Sequence, residues 1–478
     1  MRICGKMWPG LTASRERRIL VCLGLLCLLL TVQIYTQRTS TETTGVEGQD
    51  GQRFQFVERR QQLLQNQNSN EPDVIAEAVT PEATTRVRDT KVTTKNKVKD
   101  DILKGLSSLD TKQLQKLWRM LDSTRDPHAV QLIRIDQALQ ALKVRLLEDV
   151  SGRRFPEIMD AVQKASPISS QPRPESMQVI ISTTWRSGST FLEELLASHP
   201  AVYNHYEPLM QFGLKQIRDG ADSVHAQKLI HDLLSCKYQG QNDYISTALK
   251  ITDMFSRNAV LWESCSSEDW GNALCYNDVF LEGACKLFPW TTMKLVRLRL
   301  KLLRPILEEK TFNAHIIYLV RDPRGVINSR TDTVKWCSSA DCNDPSYLCQ
   351  DMDDDLTVAL QMRKDFPGRV YVLRYEDLAL DPFPKTQDLL AFLGLDFDPK
   401  MEEFLRSHTT KNYDKPWSTS RESKTRVTHW VSKLPEDKVL SVQNSCTAVL
   451  NRFGYLPINS TKSVSVEHIL GPLVLPES

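Results

Sequence analysis

The sequence predicts an α/β fold in which a parallel sheet is flanked by helices, and three observations carry that expectation. Four short β-rich runs, MQVIIST (177–183), MKLVRL (293–298), HIIYLV (315–320) and RVYVLR (369–374), stand apart from one another after residue 176. Segments with helical periodicity separate or follow them, at 190–198, 300–309, 353–365, 384–393 and 436–453. Roughly 300 residues follow the last Pro-rich linker, enough for one large core. Strands that alternate with helices in this way form parallel sheets covered on both faces, so each strand is apolar along its length.

The N-terminal third is organised differently. The 478 residues hold 61 Lys and Arg against 59 Asp and Glu, a formal charge of +2, which excludes a generally basic nucleic-acid binder. Residues 19–35, ILVCLGLLCLLLTVQIY, form an apolar run preceded by Arg15, Arg17 and Arg18, with no small-x-small cleavage site after it. That pattern predicts a cytoplasmic tail (1–18), an uncleaved signal anchor (19–36) and a type II topology with the rest of the chain in the lumen. Residues 37–101 are too polar to fold and read as a flexible stem. A helical stem and linker follow at 102–175, where Leu114, Leu117 and Leu121 form one apolar stripe. Leu132, Ile135, Leu139, Leu142 and Leu146 form another at 3,4,3,4 spacing. Either stripe packs on its own chain or joins two copies in a homodimer. A lumenal domain is expected over 176–467, with a short tail at 468–478.

Of eleven cysteines, eight follow the anchor (Cys236, Cys265, Cys275, Cys285, Cys337, Cys342, Cys349 and Cys446), an even number suited to disulfides in an oxidising lumen. Buried free thiols are the alternative. No CxxC or Cys/His spacing suggests zinc. Asn459-Ser460-Thr461 is an N-glycosylation sequon.

The chemistry concentrates in two segments. In VIISTTWRSGSTFLEELLAS (179–198) a β-branched strand runs into a short loop and then an amphipathic helix. Gly188 permits close approach to the helix N-terminus, whose N–H groups suit an anion, and Arg186 with the hydroxyls of Ser187, Ser189 and Thr190 would add charge-assisted bonds. The loop lacks the first Gly and the Lys of GxxxxGK[ST], which disfavours nucleotide triphosphate hydrolysis. In IIYLVRDPRGVINSR (316–330) a strand delivers Arg321, Asp322-Pro323 suits a helix start, and Arg321, Arg324, Ser329 and Arg330 could gather around a second phosphate. A structural Arg–Asp turn is the competing reading.

Taken together, TTWRSGST and LVRDPRGVINSR resemble the two nucleotide-binding segments of sulfotransferases that use 3′-phosphoadenosine 5′-phosphosulfate. More closely, the chain resembles the Golgi carbohydrate 6-O-sulfotransferases of chondroitin, keratan and related glycans, through YEPL (206–209), MKLVRLR (293–299), VLRYEDLALDP (372–382) and SVSVEH (463–468). The resemblance implies a P-loop-like sheet. It also implies that Arg186, Ser187, Gly188, Ser189 and Thr190 hold the 5′-phosphosulfate while Arg321 and Ser329 hold the 3′-phosphate. No metal is expected. The acceptor is expected to be a glycan or proteoglycan, sulfated at O-6 of N-acetylhexosamine or galactose by an enzyme anchored in the Golgi membrane.

An alcohol acceptor needs a base to take its proton. Glu207 is the first candidate and His205 the second, with His199 a third that suits a helix end better. Arg186 is the candidate for charge on the leaving oxygen. Lys294, Arg297 and Arg299 read equally as ligands of an anionic glycan or the cofactor and as surface charges or salt-bridge partners. Three features depart from the family pattern: Trp185 stands before Arg186, Thr190 replaces a final Ser while keeping the hydroxyl, and CSSADCNDPSYLC (337–349) is unfamiliar. Val431 after Trp430 also departs, so neither Ser423 nor Trp430 is assigned to the cofactor. Two other functions compete. A metal-dependent glycosyltransferase would use Asp351, Asp353, Asp354 and Asp355 as a DxD cluster, which reads equally as acidic residues at a helix start. A lumenal scaffold that has lost catalysis is the second.

Overall fold

The computed structural model describes residues 127–150, 156–165, 176–266, 272–334, 336–409, 419 and 422–476. The expected anchor, the stem over 37–101 and the stripe of Leu114, Leu117 and Leu121 lie outside these residues. The chain divides into two units at Gln137. The described part of the first, 127–137, is the opening of helix α1, Pro127–Val150, and everything that follows concerns the second.

Five strands form one sheet: β1 Met177–Ser182, β2 Val202–His205, β3 Trp290–Leu295, β4 Asn313–Val320 and β5 Val370–Arg374. Their order is β2-β3-β1-β4-β5 and every pairing is parallel. All six residues of β1 are buried, as a strand flanked on both edges and covered on both faces requires. β1, β4 and β5 fall where the sequence predicts them. β3 starts three residues before the predicted run, while β2, VYNH, was not foreseen.

The helices that matter for the site are α2 Ser189–Ala197, α3 Asp278–Leu287, α4 Pro323–Asn328, α5 Pro345–Asp365, α6 Pro382–Leu393, α7 Pro399–Thr409 and α8 Glu436–Ser445. One face of the sheet, with Val179, Ile181, Ile317 and Leu319, packs on Leu192, Leu195 and Leu196 of α2, Leu389, Leu390 and Leu393 of α6, and Met401 and Leu405 of α7. Because side chains alternate along a strand, Tyr318 points to the other face. There its hydroxyl donates to the Met352 carbonyl of α5 at 3.1 Å.

Leu139, Leu142 and Leu146 of α1 are buried, so the second half of the leucine stripe is spent within its own chain. Arg145 pairs with Glu263 at 2.7 Å and Lys400 with Asp149 at 2.8 Å, which fixes this part of α1 to the sheet domain. All eight cysteines beyond the anchor form disulfides: Cys236–Cys285, Cys265–Cys275, Cys337–Cys342 and Cys349–Cys446.

The strand order positions the site. After β1 the chain turns toward β2 on one side, and after β4 it turns toward β5 on the other. The carboxyl ends of β1 and β4 are therefore the point where the connections diverge, which is where open parallel sheets bind ligands. Arg186 follows β1 and Arg321 follows β4.

Candidate functional site

The loop after β1 is held in an unusual backbone shape. Arg186 has φ 71° and Gly188 φ 87°, both left-handed, a region that costs any residue other than glycine about 1–2 kcal/mol. Gly188 serves as N-cap of α2, and a Cβ there would fall on the Tyr375 ring, 2.6 Å from its Cε2. Only glycine lets the loop pass this ring and open the helix N-terminus.

Arg186 and Arg321 meet across the divergence point. The Arg321 guanidinium donates to the Arg186 carbonyl at 3.0 Å, and Arg186 Nε donates to Ser329 Oγ at 2.9 Å. Arg321 also lies over the Tyr375 ring, 4.7 Å from its centroid. The two segments predicted to bind separate phosphates thus form one continuous cluster of donors. Ser329 accepts from Arg186, which leaves its own O–H to donate. Within the cluster the Ser187 hydroxyl is buried without a partner among the described residues, and so is Arg321 Nε. Unpaired buried donors beside two guanidinium groups are what an anionic ligand would satisfy.

Next to the loop stands a second charged group. Lys294 of β3 is fully buried, 2.9 Å from Glu193 Oε2 and 3.2 Å from Glu207 Oε1, and its ammonium donates to Thr190 Oγ1 at 3.2 Å. It also sits 3.7 Å from the centroid of the Tyr206 ring. Glu207 is paired through its other oxygen with Arg297 at 2.6 Å. Burial would raise the Glu207 carboxyl, but the Lys294 and then the Arg297 charge outweigh it and hold its pKa below the ordinary glutamate value. Burial raises the Glu193 carboxyl, against Lys294 and the hydrogen bond from Asn204 at 2.7 Å. Glu207 has φ 40°, a strained backbone for a non-glycine residue, which suits a side chain aimed by function.

The other candidate bases fare differently. His205 lies between the Tyr203 and Tyr238 rings, and burial pushes its pKa down to about 3, so it is neutral and enclosed. His199 stacks on Trp290, the first residue of β3, at the opposite end of the sheet from the loop. Neither is placed to take a proton at the site.

Several sequence readings need correction. Arg324 does not join the anion cluster: it is fully buried, donates bidentately to Asp322, reaches Gln443 Oε1 at 2.8 Å and the Leu456 carbonyl at 2.9 Å, and stacks on Trp430. Asp322 does cap α4, accepting from Arg324 N at 2.9 Å. Arg330 lies behind the loop, where it holds the Trp185 carbonyl and Thr184 Oγ1. Lys294, Arg297 and Arg299 are not surface charges, since all three are buried. Ser423 is occupied with the Ala379 carbonyl at 2.7 Å. Three of the four aspartates of the DxD reading are spent on arginines, Asp351 on Arg218, Asp353 on Arg452 and Asp355 on Arg299, while Asp354 accepts from Gln350 Nε2 at 2.9 Å. Two neighbours went unseen in the sequence, Tyr375 and Glu193. Glu193 was discoverable, because at helical spacing it shares a face with Ser189 and Leu196.

A model of the sulfotransferase family, described as Sulfotransfer_3, matches residues 178–399. Among curated proteins, mouse carbohydrate sulfotransferase 5 is 28% identical over 331 residues, covering 60% of this chain and 82% of its own. Human carbohydrate sulfotransferase 5 is 26% identical over 385 residues, 72% of this chain and 92% of its own. Human carbohydrate sulfotransferase 6 is 27% identical over 341 residues, with coverage of 61% and 85%.

Proposed function

We propose that the chain is a carbohydrate sulfotransferase, that its donor is 3′-phosphoadenosine 5′-phosphosulfate and that it sulfates O-6 of an N-acetylhexosamine or galactose in a glycosaminoglycan or related glycan, as the match of residues 178–399 to the sulfotransferase family and the likeness to carbohydrate sulfotransferases support. The observation that carries the donor assignment is the junction of Arg186, Ser329 and Arg321 where the β1 and β4 connections diverge. A nucleotide with two separated anionic groups needs two donor sets on one rim. The backbone at Gly188, with the Ser187 hydroxyl and Arg321 Nε that lack a partner among the described residues, fits such a guest.

The donor supplies an activated sulfuryl group, and the residues of this chain do the rest. Arg186, the hydroxyls of Ser187, Ser189 and Thr190, and the α2 N-terminus bind and neutralise the 5′ side. Arg321 and Ser329 bind the 3′ side. Charge growing on the leaving oxygen is stabilised by donors that are already in place, as in phosphoryl transfer. Glu207, ionised at neutral pH, takes the proton of the acceptor hydroxyl. Its oxygens keep lone pairs free beside the Lys294 and Arg297 bonds, which fix its direction. The sugar and the ring position rest on the resemblance alone. A type II Golgi anchor is part of the same proposal, supported by the apolar run at 19–35 and by four disulfides.

The test is transfer of labelled sulfate by the purified chain to defined desulfated glycans, with mapping of the product. Arg186→Ala and Arg321→Ala should each lower nucleotide affinity at least ~100-fold, as loss of a charge-assisted pair predicts. Full affinity in either variant removes that residue from the donor site. Nucleotide binding without turnover across the whole panel would favour the inactive scaffold instead.

A further inference from the structure

Two of the departures from the family pattern, Trp185 and the Cys-containing insertion, meet in the fold. Trp185 is 4% exposed and packs with Val296 and Cys342, with Trp336 and Cys337 against the same cluster. The Trp185 and Trp336 rings meet edge to face, centroids 6.2 Å apart. Cys337 and Cys342 close a loop of five residues' separation, so the disulfide itself forms part of the wall around the indole.

Arg330 ties the same loop to the backbone of the donor site. Its Nε and Nη2 donate to the Trp185 carbonyl at 3.1 and 3.0 Å, Nη2 to Thr184 Oγ1 at 2.5 Å, and Nη1 to the Cys342 carbonyl at 2.6 Å. Each of these acceptors is neutral, and no carboxylate pairs with Arg330 among the described residues. Burial, followed by the Arg299 charge, lowers its pKa to about 9. One rigid guanidinium fork therefore spans the disulfide loop on one side and the two residues before Arg186 on the other. Arg186 itself sits in a left-handed conformation that persists only when its surroundings over-determine it.

We propose that the Cys337–Cys342 loop, acting through Trp185 and Arg330, is a positioning element that holds the Arg186 loop in its donor-binding shape. The inference rests on the donor reading above. Without the disulfide, residues 337–342 would gain chain freedom, the Cys342 carbonyl would leave Arg330, and the Trp185 indole would lose one wall. The Arg186 loop would then populate other shapes, and only the competent fraction would bind nucleotide. This makes donor affinity depend on a covalent bond that touches no substrate.

The experiment measures, in the full chain, adenosine 3′,5′-bisphosphate affinity and the KM of donor and acceptor for Cys337→Ser/Cys342→Ser, Arg330→Lys and Trp336→Ala. Cys236→Ser/Cys285→Ser, which opens a disulfide on α3, serves as the comparison. The expected result is an about tenfold weaker nucleotide affinity and a matching rise in donor KM for the first two variants, with a smaller rise for Trp336→Ala, while acceptor KM stays within about twofold. The comparison variant should lose stability without a change in donor KM. A general loss of packing would lower the active fraction and leave both KM values unmoved, which overturns the proposal. If the double cysteine variant does not fold, Trp336→Ala decides: unchanged donor KM there sinks the idea. If the wild-type chain fails to bind the bisphosphate, the donor reading falls and this inference falls with it, whereas wild-type binding with unchanged variants rejects the inference alone.

Discussion

Replacing Gly188 by alanine tests the donor loop at its tightest point. The new Cβ carries two costs. The first is conformational, because φ is 87° and an L-residue there loses about 1–2 kcal/mol. The second is steric: the methyl overlaps the Tyr375 ring, with Cε2 at 2.6 Å, so the ring must swing away. That ring lies under Arg321, and the stacking so lost is worth about 0.5–2 kcal/mol. Together the costs reach roughly 1.5–4 kcal/mol, or about 10- to 700-fold in nucleotide affinity at 1.4 kcal/mol per tenfold. Calorimetric titration with adenosine 3′,5′-bisphosphate reads this directly, and a thermal melt checks that the protein remains folded. The cycle with Tyr375→Ala separates the costs. In that background the overlap is gone, so Gly188→Ala should cost only the conformational part, about tenfold. Equal losses in both backgrounds would show that the ring contact is irrelevant, and no loss in the single variant would remove the loop from the site.

Four further outcomes follow from the buried charges. Glu207→Gln should cut turnover by at least ~100-fold with donor KM within about threefold, the signature of a base rather than a donor ligand; unchanged turnover would end its candidacy. Because Lys294 and Arg297 depress the Glu207 pKa, the acid limb of kcat/KM should lie below the ordinary glutamate value of 4.5, and a limb near 6 to 7 would point to another group. Lys294→Met should leave Glu193 and Glu207 without their shared cation and cost about 3–5 kcal/mol in stability by urea melts, as breaking buried pairs does. Glu376, pushed up to about 7 by burial and the neighbouring Asp322 charge, binds a proton more tightly folded than unfolded. Its contribution to stability should be full below about pH 4.5 and fade as pH rises through about 7, a slope that Glu376→Gln abolishes.

The first strand, its loop and Arg321 were legible because each lies within a local pattern, an apolar run followed by a turn or cap. β2 was not. VYNH is four residues long and carries a buried Asn whose side chain is satisfied by Glu193 and Thr292, which no local pattern reveals. With β2 unseen, β3 reads as an edge strand and Lys294 as a solvent-facing charge, although β2 in fact covers that edge. Arg324 and Arg330 were grouped with Arg321 because they are close in sequence. Successive residues of a helix point in different directions, so Ser329 meets the Arg186 side chain while Arg330 reaches the Trp185 carbonyl and Thr184 Oγ1. Tyr375 was invisible for a different reason. Its role depends on β5 ending beside a loop nearly 190 positions earlier, a juxtaposition only the completed sheet creates.

The parallel sheet also governs how the protein is made. Thr183 donates to the Leu319 carbonyl across 136 positions of chain, and β1 has no neighbour until β3 and β4 emerge from the ribosome. At about 5–20 residues per second, β1 waits on the order of ten seconds with its apolar edges bare. Newly synthesised molecules are therefore most open to aggregation during that interval, and truncated chains that stop before residue 313 would present the first half of a nucleotide cradle with nothing to close it.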